Sequence, residues 1–245
     1  MNLQKNKEVQ FSDLGLIPYS EAWACQEKLF ADLVSRKLAM RHVPPESAAL
    51  TPNYLLMCEH PHVFTLGKSG KDDNLLADEK LLKQKEAEFF RINRGGDITY
   101  HGPGMQVGYP IIDLENFFTD IHQYMRYLEE VIIRTLAEYS IEGGRIPGKT
   151  GVWLNSNDPH LARKICAMGV RCSRWVTMHG WAFNVNCDLS YFDLINPCGM
   201  PGVNVTSLER ELGLKKPLHE INEKVKKHFE DVFEAVLLNT VPALI

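Results

Sequence analysis

Apolar residues recur along the chain in two rhythms. Trp23, Leu29, Phe30, Leu33 and Leu38 fall on one side of a helix spanning 20–40 and capped near Ser20. Ile121, Met125, Leu128, Ile132 and Leu136 repeat at steps of three and four, which predicts a second helix over 120–140. Leu218, Ile221, Val225, Phe229 and Val232 do the same over 217–236, and 74–88 reads as a further helix. The other rhythm is short apolar runs bounded by glycine, proline and polar residues. It predicts strands at 54–58, 63–66, 89–93, 97–101, 106–114, 150–155, 163–172 and 178–187. Many strands and a few long helices, not strictly alternating, imply an α+β fold: a mixed sheet covered by helices.

Nothing divides the chain. Segment 41–53, with Pro44, Pro45 and Pro52, is the most linker-like stretch, yet no repeat or low-complexity tract accompanies it. Residues 1–245 are therefore expected to form a single domain. A length of 245 residues allows a full-sized core, and a net charge of −4 argues against a general nucleic-acid binder. No apolar run approaches the roughly 20 residues of a membrane span. The amino-terminal MNLQKNKEVQ has no apolar segment of the secretory kind, so a cytoplasmic location is expected. The six cysteines are too sparse for a disulfide scaffold, and reduced thiols are the expectation.

The stretch GGRIPGKT, 143–150, satisfies the phosphate-loop pattern of glycine, four residues, glycine, lysine and threonine. That loop works only between a preceding strand and a following helix, whose terminal N–H groups face the phosphates. Here a predicted helix precedes and a predicted strand follows. The stretch reads instead as a helix C-cap at Gly143-Gly144, a break at Pro147 and entry into a strand.

Four other stretches could carry chemistry. RGGDITYHGPGMQ, 94–106, is a glycine-rich turn flanked by Arg94 and His101, whose backbone can approach a ligand closely. It lacks the dinucleotide spacing, and Pro103 removes an N–H; a plain hairpin is the structural alternative. NPCGMPGVNVTSL, 196–208, sets Cys198 between proline and glycine, where a thiol is more open to solvent than in a strand. ARKICAMGVR, 162–171, alternates as a strand, with Ile165, Ala167 and Gly169 on one face and Lys164, Cys166 and Met168 on the other. TMHGWAFNVNCDL, 177–189, places His179 before Gly180 at a strand start, as a candidate supporting residue or as a structural histidine. EHPHVFTLGKSG, 59–70, could form a second rim of the same pocket. The cysteines and histidines lack the paired spacing of a zinc site, so no metal is expected.

Taken together, EHPHVFTLG, RGGDITYHGPG, RKICAMG, MHGWAFNVNCDL and NPCG, in that order, resemble the lipoyl(octanoyl) transferase family over about residues 50–235. The resemblance implies a biotin/lipoate protein ligase-like catalytic domain. It implies transfer of an octanoyl or lipoyl group from acyl carrier protein to a lysine of lipoyl domains, in 2-oxoacid dehydrogenase complexes and the glycine cleavage H protein. It implies that Cys198 carries the acyl group as a thioester and that Lys164 is its catalytic partner. Substrate would be bound by Arg94, Gly95, Gly96, Asp97, Ile98, Thr99, Tyr100 and His101, by Ala167, Met168 and Gly169, and by Gly180, Trp181 and Ala182. No cofactor, ATP or metal is implied, and neither nucleic acid nor membrane is an expected partner. One departure is Met105, where a glutamine is expected.

The chemistry is sound without the family. A free cysteine has a pKa of about 8.5. A lysine ammonium about 4 Å away, at an effective dielectric near 20, favours the thiolate by about 4 kcal/mol. That is a shift of roughly three units before desolvation takes some back. Thioester exchange is close to neutral and aminolysis to an amide is downhill, so no nucleotide is needed. Lys68, Lys71, Arg91, Arg94, Arg163, Arg171 and Arg174 cluster around these stretches and predict a basic rim for acidic partners. The competing readings are an ATP-dependent lipoate–protein ligase, a non-catalytic lipoyl- or acyl-domain binder, and a cysteine hydrolase using His101 or His179.

Overall fold

The computed structural model describes residues 5–44, 49–196 and 204–240. Among these, the strands form two sheets. The larger has the order β11-β1-β2-β6-β10-β9-β8-β7, and the smaller the order β4-β3-β5. Their ranges are β1 Glu8–Leu16, β2 Tyr54–Glu59, β3 Val63–Leu66, β4 Glu88–Arg91, β5 Ile98–His101, β6 Met105–Ile111, β7 Gly143–Ile146, β8 Lys149–Leu154, β9 Arg163–Ser173, β10 Val176–Asn184 and β11 Val236–Asn239. The helices are α1 Tyr19–Ala39, α2 Glu79–Gln84, α3 Ile121–Ala137, α4 Leu208–Leu212 and α5 Leu218–Phe233. β1 runs parallel to both β2 and β11, whereas the ladders from β2 through β6, β10, β9 and β8 to β7 are antiparallel. The mixed sheet covered by helices is as the apolar rhythm predicts.

Alternation along the strands divides the core. Leu55, Met57, Trp181 and Phe183 pack with Leu128, Ile132, Val225 and Phe229 of α3 and α5. Their strand neighbours Leu56, Cys58, Met178 and Ala182 pack with Ala22, Leu29 and Leu33 of α1 on the opposite face. α3 starts cleanly because the Asp120 side chain accepts from the His122 and Gln123 amides, satisfying donors left open by the first turn.

Several predicted boundaries move for identifiable reasons. α1 begins at Tyr19 after Pro18, with no side-chain cap, so Ser20 is inside the helix; Leu38 is 38% exposed, off the buried stripe. The helix expected over 74–88 shrinks to α2. Leu75 bridges Ile195, and the Leu76 amide donates to the Leu194 carbonyl, so a tertiary partner takes the backbone that helix would have used. The linker-like stretch ends in structure: Thr51 and Asn53 are buried, and Asn53 donates to the carbonyls of Asn6 and Glu8. β1 and β11, which the apolar rhythm did not announce, build one end of the large sheet. β11 follows Glu234 in the left-handed region, which ends α5 at Phe233.

GGRIPGKT forms a β-hairpin. α3 ends at Ala137, β7 begins at Gly143, and the turn to β8 passes through Gly148 at φ +76°. The glycine pair is therefore a strand start rather than a helix cap. Strand–turn–strand geometry offers no helix N-terminus to a phosphate.

Candidate active site

A pocket of about 350 Å³, counted to its mouth, lies where β6, β9 and β10 of the large sheet meet β5 of the small one, at the start of α1. Arg94, Thr99 and His101 line it from the stretch 94–106; Ala167, Met168 and Gly169 from 162–171; Gly180, Trp181 and Ala182 from 177–189. Two of these segments meet because β9 and β10 pair antiparallel, with Ala182 opposite Ala167 and Gly180 opposite Gly169. The Arg94–Asp97 turn crosses over β9, where the Gly95 amide donates to the Val170 carbonyl at 3.0 Å. A Cβ on Gly169 would stand 2.5 Å from the Gly95 carbonyl oxygen, so the crossing requires glycine there.

The members of the 94–101 stretch divide their tasks. Arg94 is 8% exposed, and its guanidinium donates to the carbonyls of Gly95, Thr65 and Asp97, folding the turn onto β3. Gly96 sits at φ +89°, in the region glycine enters readily. Asp97 accepts from its neighbour's amide at Ile98 and from the Asn74 side chain at 2.6 Å. Tyr100 is turned away from the pocket into a stack with His62 and Tyr191. Trp181 likewise points its indole to the other face, where Nε1 donates to Gln106 at 2.6 Å. Met105, the departure from the family pattern, is buried in the α1-side core with its sulfur accepting from the Gly102 amide.

The pocket's histidines are held neutral. Burial lowers the His179 pKa to about 3, helped by the nearby cations Arg94 and Arg171. Burial likewise lowers His60, beside the pocket, to about 4, and pushes His101 well below its ordinary value. His179 adopts φ +60°, with its amide donating to Gln26 of α1 and its Nε2 against the Asn93 side-chain oxygen at 3.0 Å. Because the Asn93 amide nitrogen donates to Glu27, that oxygen accepts, which puts the His179 proton on Nε2. His60 is fixed similarly: Nδ1 faces the Ile17 carbonyl at 2.8 Å, so Nε2 accepts from the Tyr109 hydroxyl at 2.7 Å. Tyr19 stacks on His101 with ring centroids 5.9 Å apart.

Lys164 lies on the pocket's face of the sheet, which corrects the simple alternation expected of β9. Val152 pairs with Cys166 and Trp153 pairs with Lys164, so Ile165 is an extra residue in the ladder. This bulge turns Lys164 away from Cys166 and Met168 and onto the face shared by Ala167 and Gly169. Ile165, Cys166 and Met168 all join the α3/α5 core. The Lys164 amide donates to the Asn204 carbonyl at 2.8 Å, and the Thr206 amide to the Lys164 carbonyl at 3.0 Å. Cys198 lies outside the described residues. Its described flanks are both tied down near the site, Asn204 on Lys164 and Asn196 through its amide to the Asn74 carbonyl at 2.8 Å.

The expected basic rim is thinned by internal pairing. Arg163 binds Glu211 through two nitrogens at 2.7 and 2.6 Å, Arg171 meets Glu27 at 3.1 Å, Arg91 pairs with Asp72, and Arg94 is buried. Lys68, Lys71 and Arg174 are exposed. Among the described residues no cluster of histidine, cysteine or carboxylate side chains could hold a metal. Cys172 is exposed, while Cys25, Cys58, Cys166 and Cys187 are buried, all with free thiols.

Sequence reasoning missed Tyr19, Tyr109 and Gln26. Tyr19 and Tyr109 line the pocket and Gln26 holds His179, yet along the chain each looks like an ordinary core position of a helix or strand.

The mixed-sheet α+β fold is shared with ligases of lipoate and biotin. A bipartite lipoate protein ligase from Thermoplasma acidophilum matches with a TM-score of 0.68 at 13% identity, covering 96% of this chain and 87% of that one. A biotin protein ligase from Aquifex aeolicus matches with a TM-score of 0.51 at 13% identity, covering 92% and 70%. The model of the lipoyl protein ligase A/B catalytic domain matches residues 18–230, taking in α1 as well as the region from residue 50 onward. Octanoyltransferases of Christiangramia forsetii and Flavobacterium johnsoniae are each 59% identical, over 95% of this chain and 98% and 100% of theirs. That of Cytophaga hutchinsonii is 53% identical over 98% of both chains. The chain belongs to the octanoyltransferase branch of the lipoyl protein ligase A/B catalytic-domain family, and it is an acyltransferase. No helix among the described residues is long and apolar enough to cross a membrane.

Proposed function

We propose that the protein moves an octanoyl or lipoyl group from acyl carrier protein to a lysine of a lipoyl domain, through a thioester on Cys198 and without ATP. The observation that carries this reading is the bulge at Ile165. It sets Lys164 on the pocket's face and in a ladder with Asn204 and Thr206, at the end of the segment that bears Cys198. In the first half-reaction the Cys198 thiolate attacks the carrier thioester, the new carbon–sulfur bond replaces the old, and the carrier thiolate leaves and takes up a proton. In the second, the lipoyl-domain amine attacks the enzyme thioester and Cys198 leaves as thiolate. Lys164 fits the role of proton acceptor there: once Cys198 is acylated it has lost its anionic partner and faces an apolar chain, both of which favour the neutral amine.

Two features favour this reading over its rivals. His179, with its pKa near 3, and His101, also well below the ordinary range, are poor bases at neutral pH, which counts against a histidine-assisted hydrolase. The hairpin geometry of GGRIPGKT gives no support to a nucleotide site for a ligase. In keeping with a cytoplasmic reaction, the described cysteines are unpaired.

Intact mass after mixing with octanoyl carrier protein is the test. A transient octanoyl adduct is expected on the wild type and none on Cys198→Ser, and added lipoyl domain should collect the group with no nucleotide present. Free octanoate as the product would support the hydrolase. Dependence on ATP would support the ligase, and the absence of any adduct a silent binder. Lys164→Arg keeps the charge but cannot give up its proton; normal-rate transfer from this variant to the acceptor would end the proton-acceptor role.

A further inference from the structure

Beside Lys164, on the neighbouring strand, stands a tryptophan whose surroundings differ from those of an ordinary core residue. Trp153 is 2% exposed, yet its indole N–H is buried with no hydrogen-bond partner among the described residues. An unpaired buried donor is costly, and Trp181, on the other face of the sheet, satisfies its own by donating to Gln106. What Trp153 offers instead is its ring face: the Lys164 ammonium lies 4.7 Å from the ring centroid. The bulge at Ile165 creates this contact, because it pairs Lys164 directly with Trp153.

The strand beneath the ring is anchored. Gly151, two residues before Trp153, adopts φ +110°; a Cβ there would stand 2.4 Å from the Cys166 carbonyl oxygen and 3.6 Å from Cε of Lys164. The Cys166 carbonyl therefore requires glycine at this point of β8, and the lysine stem passes at ordinary contact distance. The Gly151 amide donates to Glu129 of α3 at 3.0 Å. That carboxylate has no exposed surface and is paired with Arg126 at 2.8 Å and Arg145 at 2.9 Å. A charge-assisted bond thus fixes β8 to α3 at the point where the lysine crosses it.

We propose that Trp153 is the positioning residue for Lys164, holding its ammonium by a cation–π contact on a strand that Glu129 ties down through Gly151. A lysine stem has four rotatable bonds, and a ring face beneath its head selects among their settings without removing the charge. Lys149 approaches the same ring at 5.5 Å, from the exposed start of β8. The inference rests on Lys164 being the cationic partner of the Cys198 thiol.

Two measurements on the full chain test it: single-turnover octanoylation of Cys198 from octanoyl carrier protein, and the NMR position of Lys164 after reductive ¹³C-methylation, assigned with Lys164→Arg. Trp153→Leu should lower the acylation rate at saturation about tenfold to thirtyfold, the size of a desolvated cation–π contact, with KM within about twofold. Trp153→Phe should keep at least roughly a third of the rate, and Lys149→Ala all of it. The Lys164 resonance should be ring-shifted upfield in the wild type and return to its ordinary position in Trp153→Leu. Wild-type acylation by Trp153→Leu, alongside a loss in Lys164→Met, would overturn the proposal and leave the role of Lys164 standing. Unimpaired acylation by Lys164→Met would instead overturn that role itself, and the proposal with it. Equal losses in the leucine and phenylalanine variants, or no ring shift in the wild type, would reduce Trp153 to a space-filling residue. Should Trp153→Leu fail to fold, the wild-type ring shift and the Trp153→Phe rate decide.

Discussion

β9 and β10 present two different surfaces on their two faces. Towards α3 and α5 stand Cys166, Met168, Trp181 and Phe183, all buried in one apolar cluster. Towards α1 and the small sheet stand Ala167, Gly169, Gly180 and Ala182, which line the pocket. The same two strands are therefore large-sided on one face and nearly bare on the other. The site is made by omission: volume filled by indole and benzyl groups on the helix face is left open on the pocket face. The buried imidazoles of His60, His101 and His179 and the Arg94 guanidinium lie on the bare side.

The comparison breaks most visibly if large side chains can be exchanged between faces. Phe183→Ala removes a fully buried ring from the packed face and should cost about 3–5 kcal/mol in urea unfolding, while activity per folded molecule stays near normal. A loss of transfer with little loss of stability would mean the helix face also shapes the site.

Acid should act mainly through the pocket face. A histidine held neutral by burial binds fewer protons folded than unfolded, so stability is full above the ordinary pKa of 6.5 and falls as pH drops towards the folded value. For His60, between 6.5 and about 4, the full effect is about 3 kcal/mol, with His179 adding between 6.5 and about 3. Carboxylates held low by hydrogen-bonded ion pairs, such as Glu211 beside Arg163, keep their stabilisation above about pH 4.5 and lose it only as pH falls further. A urea midpoint that does not move between pH 7.5 and 5 would show these rings to be hydrated or paired in solution.

Filling the bare side is the converse of emptying the packed one. Ala167→Leu should block the acyl chain, lowering transfer at subsaturating donor by about tenfold to a hundredfold. Because the new side chain enters the pocket, stability should change by less than about 1.5 kcal/mol. Undiminished transfer of octanoyl by this variant would place the chain elsewhere.

The smallest effect concerns charge. With Arg163, Arg171 and Arg91 already paired to Glu211, Glu27 and Asp72, the rim should attract an acidic carrier only weakly. Raising salt from about 50 to 300 mM should weaken carrier binding by roughly threefold. A drop of a hundredfold would mean that these pairs open when the carrier docks.

Much of this was legible along the chain. Steps of three and four found α1, α3 and α5, and short apolar runs found β2 to β6 and β8 to β10, because burial on one face imposes a period that a sequence must display; β7 reads along the chain as a helix cap. The binding stretches were legible for a different reason: Gly169 and Gly180 mark places where backbone approaches backbone too closely for a Cβ, and Gly96 takes a left-handed turn that glycine enters readily. β11 was hidden, since Val236 to Asn239 continues the apolar pattern of α5 and only a left-handed residue at Glu234 separates them. The 74–88 segment was misread because Leu75 and Leu76 exchange helical bonds for a bridge to residues more than a hundred positions away.

The sequence by itself determined the mixed architecture, the two long helices that cover one face, and the glycine-lined strands that leave room for a ligand. The tertiary structure decided that one inserted residue at Ile165 turns Lys164 to the pocket, that Tyr19 and Gln26 of α1 close the site, and that the pocket's histidines are held neutral. The physical reason is range. Periodicity records what one segment buries, whereas a bulge, a ring face under an ammonium and a desolvated imidazole exist only when segments distant in the chain are brought within a few ångströms.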